Sequence, residues 1–451
     1  MVCSFSLLIF PQSNSIRGVD ISFLKQIEDN NGVYKQNGVT KDALTIFKNH
    51  GVNYVRLRLW NNPPDGFSNL ASTILLAKRV KQNGMKLLLD FHYSDSWADP
   101  SKQTKPALWN GISFTALEDS IYTYTKNILL TMKQESVLPD IVQIGNEITN
   151  GMLWNEGKVG GAFDTPAQWN NFTSLLKKGL LAVQEINSSG ASIRTMIHID
   201  RGGDSTGSKW FFDNLQKFNV QYDYIGLSFY PWWHGSFAEL NANLSMLSTR
   251  YQKEIIIAET AYPWTLGWND NMNNIVGQSS QVLAGYPATV DGQTGFLNAI
   301  KSSLAGVPKQ RGLGYFYWEP DYISTSVFGS SWENLALFDF TGEVLSSIHT
   351  FEQETSISES PALINSFILF QNYPNPFNPS TKISFVLSSN SNVKLTIYNQ
   401  FGQVVAQLIN SYMNHGLHTI NWNAFNNPSG IYFCELKTDN SAAFRKLILL
   451  K

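Results

Sequence analysis

Two glutamates stand at the ends of aliphatic runs far apart in the chain: Glu147 in "IVQIGNEITNGMLW" (141–154) and Glu259 in "EIIIAETAYPWT" (254–265). A lone glutamate behind such a run is most often a solvated or capping residue. Two that converge are a different matter. Cleavage of a glycosidic bond needs one carboxylic acid to protonate the leaving oxygen and a second carboxylate on the other side of the anomeric carbon. The residues around them fit that chemistry. "NYVRLRLW" (53–60) carries Arg56 and Arg58 on one face and Val55, Leu57 and Leu59 on the other. Two arginines on the inner face of a strand are costly to bury unless carboxylates meet them, and an arginine beside Glu259 would favour its ionised, nucleophilic form. His92 and His198 end two further runs, with sugar hydroxyls or the glutamates themselves as partners. Tyr230 and Trp318 end two more, and an indole there offers a floor for a pyranose ring. Trp97, Trp232, Trp233 and Trp264 follow strands and are candidate cleft walls. Spacing alone does not place Asp20, Asp95, Asp99 or Glu319.

The elements that must carry these groups alternate. Eight short runs at 16–22, 53–60, 86–94, 141–147, 194–200, 224–231, 254–260 and 312–320 are separated by segments of apolar period three to four. One such segment is "LASTILLAKRVKQNG", with Ile74, Leu75 and Val80 on its apolar face. Another is "TPAQWNNFTSLLKKGLLAVQEI", with Thr165 as N-cap and Pro166 at the first helical position. Strand–helix alternation predicts a parallel sheet, and eight repeats predict a closed (β/α)8 barrel over 16–350. In that count Glu147 ends strand four and Glu259 ends strand seven, across the barrel mouth from one another. Residues 351–369 read as a linker. From 370 to 451 the texture becomes period-2, with turn signals such as "NNPSG", and predicts a small all-β sandwich.

Bulk composition narrows the function. With 33 Lys+Arg against 35 Asp+Glu the chain lacks the basic footprint of a nucleic-acid binder. Charged residues make up only 15% and aromatics 13%, a balance suited to a neutral ligand with apolar ring faces. Cys3 and Cys434 lie at opposite ends, so neither a disulfide nor a Cys/His zinc site is expected. No apolar run reaches the length of a membrane span. The opening "MVCSFSLLIFPQSNS" (1–15) resembles the back half of a secretory signal peptide.

The strings "DFHYSDSWADP", "VQIGNEITNGMLW", "GLSFYPWWHG" and "AETAYPWT", with "RGVDIS" and "GVNYVRLRLW" before them, resemble the motifs of glycoside hydrolase family 53, the endo-β-1,4-galactanases, from about Arg17 to Thr350. The resemblance implies a retaining (β/α)8 glycosidase in which Glu147 is the acid/base and Glu259 the nucleophile. It also implies that Asn146 holds the substrate's 2-hydroxyl, that Arg56 and Tyr230 contact the nucleophile, and that Trp318 is the strand-eight platform. The residues by themselves favour Arg58 as much as Arg56; the resemblance prefers Arg56. With His92, Asp95, Trp97, His198, Trp232 and Trp264 these complete the expected substrate-binding set. Some members hold a structural calcium in the loop after strand seven. Here that loop, "LGWNDNMNNIVG", offers Asn269, Asp270, Asn271 and Asn273 as oxygen ligands without the run of alternating acids a hard cation favours, so a structural calcium stays open. The tail "FQNYPNPFNPSTKISF" with "IYNQFGQVV" and "RKLILLK" resembles the C-terminal sorting domain of type IX secretion substrates.

These readings lead to a secreted or cell-surface, monomeric endo-galactanase that requires no cofactor for catalysis and takes a polysaccharide and the type IX machinery as partners. Its two carboxyl groups are expected about 5–5.5 Å apart, the retaining separation. Two alternatives stay open: a related glycosidase acting on another β-1,4 polymer such as mannan, xylan or cellulose, and a non-catalytic glycan-binding barrel.

Overall fold

The computed structural model describes residues 15–353 and 367–451, apart from 373, 388 and 440. The expected leader lies outside the described residues except for residue 15, as does most of the expected linker. The chain divides into two units, Met1–Gln353 and Glu354–Lys451.

In the first unit eight parallel strands close a barrel: β1 (Ile16–Asp20), β2 (Tyr54–Leu59), β3 (Lys86–Phe91), β4 (Ile141–Ile144), β5 (Arg194–Ile199), β6 (Tyr224–Ser228), β7 (Glu254–Thr260) and β8 (Gly312–Trp318), each bonded to its neighbours in sequence and β8 to β1. Helices α1 (Ala43–Asn49), α2 (Leu70–Gln82), α3 (Phe114–Gln134), α4 (Pro166–Ser188), α5 (Ser205–Lys217), α6 (Phe237–Tyr251) and α7 (Val290–Ala305) connect the strands. After β8 the place of an eighth helix is taken by a 3-10 turn, Ser346–Phe351. Each of the seven helices starts on a side chain that accepts a backbone N–H two or three residues inside the helix: Asp42, Asn69, Ser113, Thr165, Asp204, Ser236 and Thr289. These local signals set where each helix begins, because the first turn has donors that nothing else satisfies. On α2 the buried face is Thr73, Leu76, Ala77 and Val80; Leu75, expected inside, is 51% exposed.

The barrel interior has two zones. Toward the strand N-termini, Ile16, Leu88, Ile141, Met196, Ile256, Ala258 and Phe316 form an apolar plug. One step further along the same strands the inward positions are Asp20, Arg56, Asp90, Gln143 and His198, all buried. Parallel register sets Asp20 beside Arg56 and Asp90 beside Gln143, so the polar layer forms at one height, directly beneath the mouth.

The second unit is a pair of antiparallel sheets. Strands β9 (Phe367–Leu369), β10 (Ser380–Leu387) and β13 (Gly416–Asn423) make one, in the order β9-β10-β13. The other is β12-β11-β14-β15, from β11 (Ser391–Asn399), β12 (Val404–Met413), β14 (Gly430–Lys437) and β15 (Ala442–Leu449). Phe377, Phe385, Leu395, Trp422, Leu436 and Leu447 are among the residues of its own core. Both ends of the expected linker belong to folded structure: Phe351 is buried in the barrel unit, and β9 begins at Phe367.

Candidate active site

Glu259 reaches the barrel interior through a β-bulge. Ile256 and Ala258 face the apolar plug while Ile255 and Ile257 face the helices, so simple alternation would turn Glu259 outward. Between Leu227 and Ser228 the register shifts: Leu227 pairs with Ile257 but Ser228 with Glu259, leaving Ala258 extra. With Ala258 left out of the ladder, Glu259 takes the inward place opposite Ser228. Glu147 arrives differently. Beyond β4, Gly145 has φ +83° and Glu147 itself φ +46°, a left-handed turn that directs the carboxylate over the mouth. A Cβ on Gly145 would meet Ile148 Cγ2 at 2.6 Å, so glycine is required there on steric grounds as well.

Arg56 organises the polar layer. Its Nη1 meets Asp20 Oδ2 at 2.7 Å and Glu259 Oε1 at 2.9 Å; Nη2 meets Asp90 Oδ2 and Asn146 Oδ1, both at 2.8 Å; Nε donates to Gln143 Oε1 at 3.2 Å. All three nitrogens of the guanidinium are turned to protein, and its position against the nucleophile candidate settles the choice between the two arginines. Arg58 pairs instead with Glu319 at 2.8 Å and lies over the rings of Phe23 and Trp97, 4.1 and 4.3 Å from their centroids. Tyr230 donates to Glu259 Oε2 at 3.1 Å.

Electrostatics separates the two glutamates. Burial is the largest influence on both and pushes both upward. Glu147 is further raised by Glu259 and Asp200, against Arg56 and whatever hydrogen Ser228 turns to the carboxylate, and lies well above the ordinary carboxylate range. For Glu259, Arg56 pulls back down, yet Asp20 and Asp90 share that cation and push up again, leaving it at about 7. The expectation that Arg56 holds Glu259 low is therefore corrected: one guanidinium divided among three carboxylates does not overcome burial. Arg56 and Tyr230 meet the charged form of Glu259 directly, whereas the acids Glu259 and Asp200 disfavour the charged form of Glu147, which is the division a nucleophile and an acid require. For Asp90 burial is opposed and outweighed by Arg56 and His92, so it stays below its usual value.

Four of the residues expected at the substrate have partners within the protein. His92 donates from Nε2 to Asp90 Oδ2 at 3.0 Å, and its Nδ1 accepts from Ala98 N and Trp60 Nε1 at 3.2 and 3.3 Å, so both nitrogens are occupied. His198 is fully buried within β5, with Asn146 Oδ1 and Gln143 Nε2 beside its Nδ1 and Ser228 Oγ beside its Nε2. Of the two roles open to these histidines, these bonds supply the orientation of the polar layer. Asp95 accepts from Asn62 N and Ala107 N at 2.9 and 2.8 Å and staples the loop after β3. Trp264 packs on Phe340 and donates to Glu333 O. Asn146 keeps its place beside Glu147 by donating to Ala98 O at 2.9 Å.

The remaining aromatics do line up. Trp97, Trp318, Trp332, Trp232 and Tyr230 form a connected belt, with centroid separations of 6.1 Å for Trp97–Trp318, 4.5 Å for Trp318–Trp332, 6.3 Å for Trp332–Trp232 and 5.4 Å for Trp232–Tyr230. Trp332 was not among the expected residues, nor were Asp90, Gln143 and Ser228. The strand-three and strand-four residues carried a readable signal, a polar residue inside an aliphatic run; Trp332, in a long loop, carried none.

Two clusters come near to being cation sites. In the loop after β7, both oxygens of Asp270 accept backbone N–H groups, from Met272 and Ser330 at 2.6 and 2.7 Å, and the Asn269 side chain donates to Ser324. The Asp270 carboxylate thus ties the loop after β7 to the segment around Ser330. His50, His349 and Glu352 also converge. Gln36, whose Oε1 accepts from Lys41, donates to His50 Nε2 at 2.8 Å, so His50 carries its proton on Nδ1, where a metal would need a lone pair. That trio is a hydrogen-bonded cluster on Glu352.

Residues 371–450 match the secretion system C-terminal sorting domain. The chain is 46% identical over 357 residues to an uncharacterized protein of Niallia circulans, covering 77% of this chain and 97% of that one. It is 34% identical over 386 residues to the endo-β-1,4-galactanase of Bacillus subtilis strain 168, covering 76% and 86%. Among solved structures, the Ignisphaera aggregans GH53 catalytic domain superposes with a TM-score of 0.71 at 39% identity, covering 78% of this chain and 99% of that domain. With residues 16–351 matching the family over its barrel, and both strand-end glutamates in place, this chain belongs to glycosyl hydrolase family 53.

Proposed function

We propose that this protein is an exported endo-β-1,4-galactanase that cleaves internal bonds of galactan or type I arabinogalactan with retention of configuration. The observation that carries the reading is the unequal pair: Glu147 over the mouth, its pKa raised by burial and by the neighbouring Glu259 and Asp200, and Glu259 clamped between Arg56 and Tyr230. Glu259 attacks the anomeric carbon while Glu147 passes its proton to the glycosidic oxygen; Glu147 then takes a proton from water, which releases the sugar from Glu259. The relative named as an endo-β-1,4-galactanase supports the substrate, and the aromatic belt supplies ring faces for successive sugars. No cofactor enters this scheme. The C-terminal unit is read as the address recognised by a type IX export system, and the enzyme as a monomer.

Reducing-sugar release on debranched galactan, arabinogalactan, mannan, xylan and carboxymethylcellulose tests the substrate. Release from galactan with an early, steep drop in viscosity is expected. Release only from another polymer would retain the two glutamates but remove galactan, and binding without release from any would favour a non-catalytic barrel. Glu259→Ala should abolish turnover, with azide restoring it through an α-configured glycosyl azide. Near-normal activity of that variant would overturn the nucleophile assignment.

A further inference from the structure

We infer that Ser228 and His198 are positioning residues that latch Glu147 in its acid form, an inference that rests on Glu147 being the acid/base. Ser228 Oγ lies 2.5 Å from Glu147 Oε1 and 2.9 Å from His198 Nε2. The hydroxyl has one hydrogen for these two neighbours, so its direction decides which of them must supply the other.

The far side of the imidazole fixes that direction. His198 Nδ1 faces Asn146 Oδ1 at 3.0 Å and Gln143 Nε2 at 3.1 Å. Asn146 is held with its oxygen toward the ring, because Arg56 donates to Oδ1 and its Nδ2 donates to Ala98 O. Gln143 has other acceptors for both its hydrogens, Asp90 Oδ1 at 2.6 Å and Gly145 O at 3.1 Å. An unprotonated Nδ1 would therefore face a carbonyl oxygen lone pair to lone pair, and the proton belongs on Nδ1. Nε2 is then an acceptor. Burial and the adjacent Arg56 keep the ring neutral.

With Nε2 accepting, Ser228 turns its hydrogen to His198, and the short contact to Glu147 is satisfied only by a proton on Glu147. When Glu147 gives that proton to the leaving oxygen, the Ser228 hydrogen swings to the new carboxylate and His198 Nε2 loses its donor. The proton that Glu147 regains from water restores the first arrangement. No proton is lost from Ser228 or His198 at any point; only the hydroxyl rotates. The latch acts among other charges: Glu259 on β7, Asp200 after β5, Arg56 on β2 and Tyr230 after β6 face Glu147, while Asp90 and His92 on β3, Arg56 and His234 face His198. All of these remain in a Ser228 variant.

The sign of the effect separates this arrangement from an ordinary hydrogen bond. A serine that simply donated to the Glu147 carboxylate would lower its pKa, and removing it would raise the midpoint. Under the latch, Ser228→Ala lowers the Glu147 midpoint by about one pH unit, the worth of one buried hydrogen bond, while Ser228→Thr leaves it in place. The full-length protein labelled with 13C at glutamate carboxyls, with Glu147→Gln to assign the signal, gives the midpoint without substrate. A midpoint that rises or does not move in Ser228→Ala overturns the inference. Should Ser228→Ala fail to fold, the 15N shifts of His198 in the unmodified protein decide: a proton on Nδ1 below the Glu147 midpoint is expected, and a proton on Nε2 refutes it. The basic limb of kcat/KM on galactan should move with the midpoint. Absence of galactan cleavage would remove the substrate reading and leave the titration to judge the latch.

Discussion

The substitution Glu259→Gln should stabilise the barrel, by an amount that grows with pH. The native carboxyl belongs to a residue 7% exposed and lies at about 7 instead of the ordinary 4.5, chiefly through burial and the neighbouring Asp20 and Asp90. That upward displacement corresponds, at about 1.36 kcal/mol per pH unit, to about 3 kcal/mol for ionising this group in the folded protein. The sign follows from proton counts. Between pH 4.5 and about 7 the folded state holds a proton that the unfolded chain has released, so wild-type stability is fully present below about 4.5 and declines as pH rises through about 7. The amide introduced at position 259 does not titrate, and its oxygen still accepts from Arg56. The stability gain over wild type should be about 1 kcal/mol at about pH 5 and about 3 kcal/mol at about pH 8. Urea unfolding followed by tryptophan fluorescence measures it, since 12 of the 13 tryptophans lie in the barrel unit and only Trp422 lies beyond it. A gain that is the same at both pH values, or a variant less stable at the higher one, would refute the account of three carboxylates sharing one cation.

Glu147→Ala should lower turnover of galactan by about 10²–10⁴-fold, the usual worth of general acid catalysis, while an activated aryl galactoside loses far less; equal losses on both would contradict the acid role. Deleting Ala258 should remove the bulge yet leave Glu259 opposite Ser228 on the inner face, because Ile257 and Glu259 would then alternate outward and inward; hydrolysis should persist in a protein with the circular dichroism of a barrel, and complete loss of activity in that folded protein would contradict this account of the bulge. Gly145→Ala should cost about 1–3 kcal/mol, because φ +83° is strained for alanine and its Cβ would sit 2.6 Å from Ile148 Cγ2; a urea midpoint equal to wild type would contradict this. A chain ending at Gln353 should keep galactan-cleaving activity within about twofold, a difference well under about 1 kcal/mol, since every group named in the mechanism lies in the first unit.

The strands, their order and the two glutamates are local matters, legible without any coordinates. Aliphatic runs followed by polar residues mark strand ends, and capping residues such as Thr165 mark helix starts, because both respond to neighbours a few positions away. The count of eight then placed Glu147 and Glu259 across one mouth. The rest depends on register and on groups remote in sequence, and it became visible only in the folded barrel. Regular alternation along β7 would turn Glu259 away from the site, and the bulge that leaves Ala258 out of the pairing with β6 keeps it inside. Whether Arg56 or Arg58 meets the nucleophile depends on which carboxylates stand at each height of the barrel: Asp20, Asp90 and Glu259 at the first, Glu319 at the second. His92 and His198 read as strand-end residues facing the mouth, but hydrogen-bond partners from β3, β4 and β6 fill their nitrogens and bind them into the layer beneath it. Strand composition sets which residues are polar; closure of the barrel sets which polar groups meet, because buried donors and acceptors must find one another across strands that share no sequence neighbourhood.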